Sequence, residues 1–494
     1  MESFAGKRVV ILGLARQGTA LATFFHSRGA QVTISDLASP DQLAEPLAAL
    51  AGTDVRLVLG DHPPSLLNGC HMLCLSGGVP PQISLVRAAR RQGIRLSNDA
   101  LLTIAGSPAP TVGITGSSGK TTTTTLVGLM LEASGLKAPV DGRRHSGPGA
   151  HRAHVWVGGN IGIPLIDRLD QAERNDILVL ELSSFQLELF DEMAGGSSLS
   201  PHIATVLNVT PNHLDRHPSM ANYTACKANI LRWQHADDVA VLGSDNEITG
   251  RWLRELQVTI EAGQGQQALN FAIEGQIVGF GFQRNASDGC WLDGEQLMWQ
   301  YQGQEHPVVD VTDIGLPGRH NVLNVMAACA TAGAAGASSE AMRKVARTFA
   351  GVPHRLELVR EANGVVWIND SIATTPERAA AALHSFDQPI ILLAGGRDKK
   401  LSWTGFSSLV LQKVKHLILF GEAAGLIWES VVHARPEPDI EIVRCENLAD
   451  AVEEAARVAR PGDLVLLSPG GTSYDAYRDF EARGNHYRRL VAAL

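Results

Sequence analysis

The amino-acid sequence predicts an α/β protein built from parallel, doubly wound sheets. Apolar strand-like runs that end in Gly or polar residues recur along the chain, as in RVVILG (8–13), TVGIT (111–115), IILLAGG (390–396) and LVLLSPGG (464–471). Helical patterns alternate with them, which calls for parallel pairing through crossovers. The 494 residues also exceed one ordinary core and suggest roughly two to four domains.

Three sections separate. Residues 1–108 hold RVVILG, a glycine turn with a helical pattern, RGAQVTISD (28–36), HMLCLSGG (71–78) and IRLSND (94–99), and close on SPAP (107–110). Residues 109–318 open with TVGIT and continue through ILVLELSSFQ (177–186) and ATVLNVTPNHLD (204–215). Within them, 260–312 reads as short antiparallel excursions such as QIVGFGF and QLMWQY. Residues 319–494 start with a small-residue helix in GRHNVLNVMAACATAG (318–333), followed by the strands VVWIND, IILLAGG, HLILFG and LVLLSPGG.

Composition excludes several classes. With 45% apolar and 19% charged residues the chain is globular, and 49 Gly and 23 Pro are too few for a low-complexity protein. A net charge of −9 argues against a general nucleic-acid binder. No apolar run approaches the ~18 residues of a membrane span. The start runs straight into a strand pattern, so no signal peptide is expected. The cysteines at 70, 74, 226, 290, 329 and 445 are scattered, and CHMLC lacks a second pair to complete a zinc site. They read as reduced thiols of a cytoplasmic protein. The stretch 140–154, rich in Arg and His, reads as a solvated surface insertion in preference to an anion-binding flap or a His metal cluster.

The densest chemistry lies in VGITGSSGKTT (112–122). Ile114 stands where the usual phosphate-loop pattern places its first glycine. Gly116 and Gly119 let backbone approach phosphate, and the N–H groups of 117–121 are expected to point inward at a helix N-terminus. Lys120 supplies charge to the β- and γ-phosphates and Thr121 a hydroxyl for Mg²⁺, so the loop points to a nucleoside triphosphate. Glu181, at the end of a buried strand, is a natural Mg²⁺ ligand in that sheet. His213 and Lys227 would not be chosen from spacing alone, since a lone Lys on a helix is usually a surface residue. In GLARQG (13–18), Ala15 replaces the second glycine of the dinucleotide fingerprint, which argues against a nicotinamide site. A nucleotide-hydrolysing switch protein remains an alternative at this level, separable by whether phosphate release depends on an amino acid.

TGSSGKTT, GGNIG (158–162), LELSSFQLE (180–188), NVTPNHLDRH (208–217) with Lys227 downstream, GRHNVLN (318–324), PHRLE (353–357), NDS (369–371) and SPGGTSYDAYRDFEARG (468–484) occur in this order. Together they resemble the Mur ligases of peptidoglycan synthesis over essentially the whole chain, and SSFQLE and the final stretch resemble the type that adds glutamate. The resemblance implies a Rossmann-like N-terminal domain, a central P-loop ATPase domain and a Rossmann-like C-terminal domain. It implies an ATP-dependent amide ligase that adds D-glutamate to UDP-N-acetylmuramoyl-L-alanine through an acyl phosphate, with two Mg²⁺ ions, as a monomer; an L-glutamate version is the alternative. It separates the chain from folate-linked glutamate ligases, which share the ATP loop.

Carried over by position, the resemblance gives Gly116, Ser117, Ser118, Gly119, Lys120, Thr121, Thr122, Asn321, Arg355 and Asp370 to ATP, and Thr121, Glu181, His213 and a carbamylated Lys227 to Mg²⁺. Asn160 lies near the phosphates and acyl group; Lys120, Asn160, His213 and Lys227 make up the catalytic set. Arg16, Gln17, Asp36 and Ser76 serve the UDP-substrate, and Thr374, Lys399, Ser473 and Phe480 the glutamate. Two positions depart from the family pattern: Ser118 replaces a frequent Asn, and Ile372 replaces a Lys, with Arg378 or Lys400 as substitutes for its charge.

Overall fold

The computed structural model describes residues 3–135, 153–160, 162–191, 199–212, 216–262, 269, 271, 273–316, 318–399 and 401–494. His213, Asp215, Lys400 and residues 140–152 of the Arg- and His-rich stretch lie outside the described residues. Two compact units divide the chain, Met1–Ala350 and Gly351–Leu494.

The first unit opens with strands β1 (Arg8–Leu12), β2 (Gln31–Asp36), β3 (Arg56–Leu59), β4 (Met72–Leu75) and β5 (Arg95–Ser97). They form a parallel sheet in the order β3-β2-β1-β4-β5. The order reverses between β1 and β4, and a doubly wound sheet offers its ligand crevice at the strand ends beside such a switch. The turn 13–18 and Ser76 follow β1 and β4 at those strand ends, and Asp36 is the last residue of β2.

The central sheet comprises β6 (Thr111–Thr115), β7 (Val155–Gly159), β8 (Ile177–Glu181), β9 (Ile203–Val206), β10 (Val239–Gly243), β11 (Gln276–Phe280), β12 (Asp288–Asp293), β13 (Gln296–Tyr301) and β14 (Gln304–Asp310). Among the described residues its order is β14-β13-β12-β11-β10-β9-β6-β8-β7. The phosphate-type loop after β6 therefore sits between the ends of β8 and β9. Among the described residues of this sheet antiparallel pairing is confined to β12-β13-β14. QIVGF was expected to be an antiparallel excursion; instead β11 pairs parallel with β10, because the helix Glu247–Ala262 carries the chain back across the sheet.

The helices Arg319–Ala334 and Ser339–Thr348, grouped by sequence with the C-terminal section, pack against the helix Lys120–Ser134 and the central sheet. Small side chains allow the close approach: Ala327, Ala328, Cys329 and Ala330 are fully buried. Thr331 on the first helix shares a hydroxyl hydrogen bond of 2.9 Å with Thr205 on β9, and Arg343 on the second donates to the Val308 carbonyl of β14. The first unit accordingly runs to Ala350.

The second unit contains β15 (Glu357–Ala362), β16 (Val365–Asn369), β17 (Ile390–Gly395), β18 (Val414–Phe420), β19 (Glu441–Arg444) and β20 (Leu464–Gly470), ordered β15-β16-β20-β17-β18-β19. Among the described residues β15 is the one strand of this sheet that runs antiparallel, beside an isolated antiparallel bridge between Arg397 and Thr472. Alternate residues feed two cores: Leu392, Leu417 and Leu466 one face, Ile391, Leu393 and Val465 the other. Burial on both faces is what gives these strands their unbroken apolar runs.

Candidate active site

Gly119 ends the loop after β6 with a left-handed φ of 80° and opens the helix Lys120–Ser134. A Cβ there would fall 2.2 Å from Asn324 Oδ1, so both backbone geometry and the neighbouring helix require glycine. Asn324 in turn donates to Asn321 Oδ1 at 3.1 Å, which sets Asn321 beside the loop. The expectation that the N–H groups of 117–121 all turn inward is corrected at two positions. Ser117 and Ser118 donate to Asn208 Oδ1 at 3.1 and 3.0 Å, and Ser117 N–H also reaches the Asn208 carbonyl. Asn208 lies just past β9, one strand away, and its side chain satisfies these donors locally. The anion-attracting groups are thus those of the helix start at Lys120, Thr121 and Thr122, whose N–H groups no helical carbonyl can reach.

The Lys120 ammonium folds onto the loop, donating to the Gly116 carbonyl at 2.8 Å and that of Ser117 at 3.2 Å. Its neighbour Thr121 donates from Oγ1 to Glu181 Oε2 at 2.8 Å. Glu181 ends β8, is buried, and accepts through Oε1 from Asn160 Nδ2 at 2.9 Å, while its carbonyl accepts the Asn160 N–H at 2.8 Å. Loop threonine, strand-end carboxylate and GGNIG asparagine are therefore one bonded set. Carboxylate and hydroxyl oxygens are the hard donors that suit Mg²⁺.

Lys227 joins this set. It projects from the helix Met220–Ala228 and is only 1% exposed, against the expectation for a lone helical lysine. Its Nζ donates to the Gly116 carbonyl at 2.8 Å and lies 4.8 Å from the centroid of the Tyr223 ring, whose hydroxyl is 3.1 Å from Ser117 Oγ. Burial, with Lys120 nearby, holds the amine well below the usual lysine range. His217, missed in the sequence, stacks on Phe185 of SSFQ at 5.5 Å and pairs through Nε2 with Ser184 Oγ at 3.0 Å. Arg216 lies over the Phe185 ring at 4.5 Å and donates to the Val79 carbonyl at 2.8 Å, tying Arg216 to the loop after β4.

The UDP candidates gather at the switch point. Asp36 accepts the N–H groups of Leu14 and Ala38 at 2.6 and 2.8 Å, and Gln17 accepts that of Gly77 at 2.8 Å. Ser76 is buried beside the same turn. Arg16 leaves this group and donates to the Asn160 carbonyl of the central sheet at 3.1 Å. The two sheets are latched by SSFQ. Gln186 donates to both Asp99 carboxylate oxygens at 3.2 and 3.3 Å, and Asn98 donates to the Gln186 carbonyl. Burial pushes Asp99 up to about 6.

In the second unit, Asp370 follows β16 and accepts from Ser468 Oγ at 2.8 Å. Burial pushes it up to about 7, opposed by that hydrogen bond, the Leu356 N–H, and the charges of Arg355 and Arg378. Arg355 stands between His354 and Leu356, two non-glycine residues with left-handed φ values of 62° and 46°. Such paired strain persists only where the surroundings impose it. Lys399 Nζ is 3.5 Å from Thr374 Oγ1, Ser473 is buried in the loop after β20, and Phe480 opens the helix Phe480–Ala493. Ile372 is partly buried, its N–H donating to the His354 carbonyl at 3.2 Å.

A phosphate loop whose threonine is bonded to a strand-end carboxylate, in a sheet latched to a second doubly wound sheet, defines the class of P-loop nucleotide-handling enzymes. Three stretches match family models in chain order: Mur ligase MurD-like, N-terminal domain (residues 7–98), Mur ligase middle domain (114–332) and Mur ligase, glutamate ligase domain (354–471). Curated relatives called UDP-N-acetylmuramoylalanine–D-glutamate ligase match end to end. That of Pelotomaculum thermopropionicum is 36% identical over 494 residues, covering 100% of this chain and 99% of the relative. That of Symbiobacterium thermophilum is 39% identical over 495 residues, covering 99% and 98%. The chain belongs to the Mur ligase family. The middle-domain match continues into the helix Arg319–Ala334, in keeping with the packing of that helix on the central sheet.

Proposed function

We propose that this chain is an ATP-dependent ligase that joins D-glutamate to UDP-N-acetylmuramoyl-L-alanine in the making of peptidoglycan precursors, working as a cytoplasmic monomer. The bonded set of Thr121, Glu181 and Asn160 beside Lys120 carries the reading, together with the name shared by full-length relatives. A carboxylate is a poor electrophile. Its attack on the γ-phosphorus of ATP expels ADP and gives an acyl phosphate; the glutamate amine then attacks the acyl carbon, inorganic phosphate leaves and the amine gives up a proton. Positioning and charge neutralisation dominate such chemistry.

Lys120 and the helix start hold the phosphates, with Gly116, Ser117, Ser118, Gly119 and Thr122 shaping the loop. Thr121 and Glu181 hold Mg²⁺, joined by His213 and by Lys227 as its carbamate. The metal, when bound, neutralises phosphate charge. Asn160 stands beside the acyl group. Gln17, Asp36, Ser76 and Arg16 serve the uridine diphosphate moiety. Asn321 serves ATP from the first unit; within the second unit, Arg355 and Asp370 are its candidates for ATP, and Lys399, Thr374, Ser473 and Phe480 take the glutamate, the ammonium of Lys399 facing a carboxylate.

The deciding assay is phosphate release with ATP, Mg²⁺ and UDP-N-acetylmuramoyl-L-alanine, run with D-glutamate, with L-glutamate and with neither. Release that requires D-glutamate is expected. Release with neither amino acid would replace the ligase by a nucleotide-hydrolysing protein, and release with L-glutamate alone would refute the stereochemistry.

A further inference from the structure

Arg483 is fully buried on the helix Phe480–Ala493, yet no carboxylate accepts from it among the described residues. Its guanidinium is spent on one serine hydroxyl and on backbone carbonyls. Nε donates to Ser371 Oγ at 3.0 Å and Nη2 to the Ser371 carbonyl at 2.9 Å. Nη1 donates to the carbonyls of Gly471 and Thr472, and Nη2 again to Gly471, each at 3.1 Å. Burial brings its pKa down to about 10, so the group stays charged at neutral pH.

These partners lie on the loops after β16 and β20, adjacent strands of the C-terminal sheet. A third loop, after β17, is fastened to the second: the N–H of Arg397 donates to the Thr472 carbonyl and that of Thr472 to the Arg397 carbonyl, both at 2.8 Å. Gly396 packs so close that a Cβ there would meet Arg483 Nη1 at 2.8 Å. Ser371 Oγ, while accepting from Arg483, donates to the Phe480 carbonyl at 2.8 Å. The three loops carry Thr374, Ser473 and Lys399, and the helix itself starts at Phe480.

We propose that Arg483 is the positioning residue of the amino-acid site, fixing Thr374, Lys399, Ser473 and Phe480 relative to one another without touching substrate. This rests on the assignment of those four residues to glutamate. A buried charge to which the Asp475 carboxylate adds attraction but no hydrogen bond is an expensive way to fill space, and an apolar side chain would do that better. What a guanidinium adds is a planar fork of five donors whose directions are fixed by its own geometry. Lysine has the charge but cannot span the same carbonyls.

The test compares Arg483→Lys and Arg483→Ala with Ser473→Ala and Lys399→Ala in the full-length enzyme, measuring kcat, the KM for glutamate, the KM for ATP and the melting temperature. For Arg483→Lys the glutamate KM should rise ~10-fold or more while the ATP KM stays within ~2-fold, since a site displaced by a fraction of an ångström loses ground on the substrate it positions. Guanidinium ion at millimolar concentration should restore the glutamate KM of Arg483→Ala. An unchanged glutamate KM, or a loss of activity that follows the folded fraction with both KM values unmoved, would overturn the inference while raised glutamate KM values in Ser473→Ala and Lys399→Ala leave the site assignment standing. If neither of those two variants raises the glutamate KM, the assignment falls and takes the inference with it.

Discussion

Lys120 and Lys227 both donate to the carbonyl oxygen of Gly116, each over 2.8 Å. Two amines from different helices thus meet at one peptide oxygen of the phosphate loop. They have different surroundings: Lys120 is partly exposed, whereas Lys227 is buried and shifted toward its neutral form. The predicted division of labour follows, one lysine for phosphate and an amine that can change its chemistry.

For Lys120, removal of the charge should abolish turnover without loss of fold. Lys120→Met should lower kcat for phosphate release by roughly 10³-fold, the scale of a lost transition-state contact. Turnover within tenfold of the wild type in a stopped-flow phosphate assay would refute its role.

A neutral amine is the form that captures carbon dioxide, and the resulting carbamate presents oxygens to a cation. Lys227→Ala should therefore be nearly inactive and regain part of its rate in short-chain carboxylates such as acetate or formate. Failure to recover at any concentration would argue that Lys227 acts as an amine.

Asp99 makes stability depend on pH in an unusual direction. Its folded pKa of about 6 exceeds the unfolded 3.8, so between these values the native state binds more protons than the unfolded chain. Its contribution is most favourable below the unfolded value and is lost as pH rises through about 6. The full loss is about 3 kcal/mol by linkage at 1.36 kcal/mol per unit. Asp99→Asn should flatten the melting temperature across that window; an unchanged slope in calorimetry would remove Asp99 as its source.

Lys399→Ala should raise the KM for glutamate by ~10-fold or more with little change in that for ATP, because a lost charge-assisted contact weakens only the ligand it faces. Equal effects on both constants would sink the assignment.

Gly18 is required by space. A Cβ would lie 1.9 Å from the Gly13 carbonyl oxygen, in the turn that presents Gln17. Gly18→Ala should cost roughly 2–3 kcal/mol by forcing the backbone apart, as overpacking does. Denaturant midpoints would show it, and a neutral effect would mean that the turn yields freely.

Much of this was legible because buried parallel strands leave unbroken apolar runs. RVVIL, TVGIT, ILVLE, IILLAG and LVLLSPG are all strands in the structure. The edge strands RLVL, ELVREA and EIVR were not read, since each keeps polar or exposed positions that dilute the pattern. Lys120, Thr121 and Glu181 could be picked from spacing because loop and strand end are local features. Asn208 could not: an asparagine in a turn reads as a turn residue, and its bonds to Ser117 and Ser118 cross some ninety positions of sequence. Lys227 became a candidate only through the family resemblance, for burial of a helical lysine is decided by what packs over it. Arg483 lies in the final stretch that carries the resemblance, yet nothing in the sequence set it apart from its neighbours, because what distinguishes it is a set of backbone carbonyls.

The break after Ala350 has a consequence for how such an enzyme can diversify. Residues 351–494 form a sheet whose strands pair only among themselves, with cores on both faces, and they carry every candidate for the incoming amino acid. The phosphate loop and the uridine-type crevice belong to the other piece. Evolution, or an engineer, can exchange the acceptor by rewriting the loops around Thr374, Lys399 and Ser473 while keeping Arg355 and Asp370 of the same unit for the activation chemistry, in the manner of an interchangeable tool head on a fixed drive.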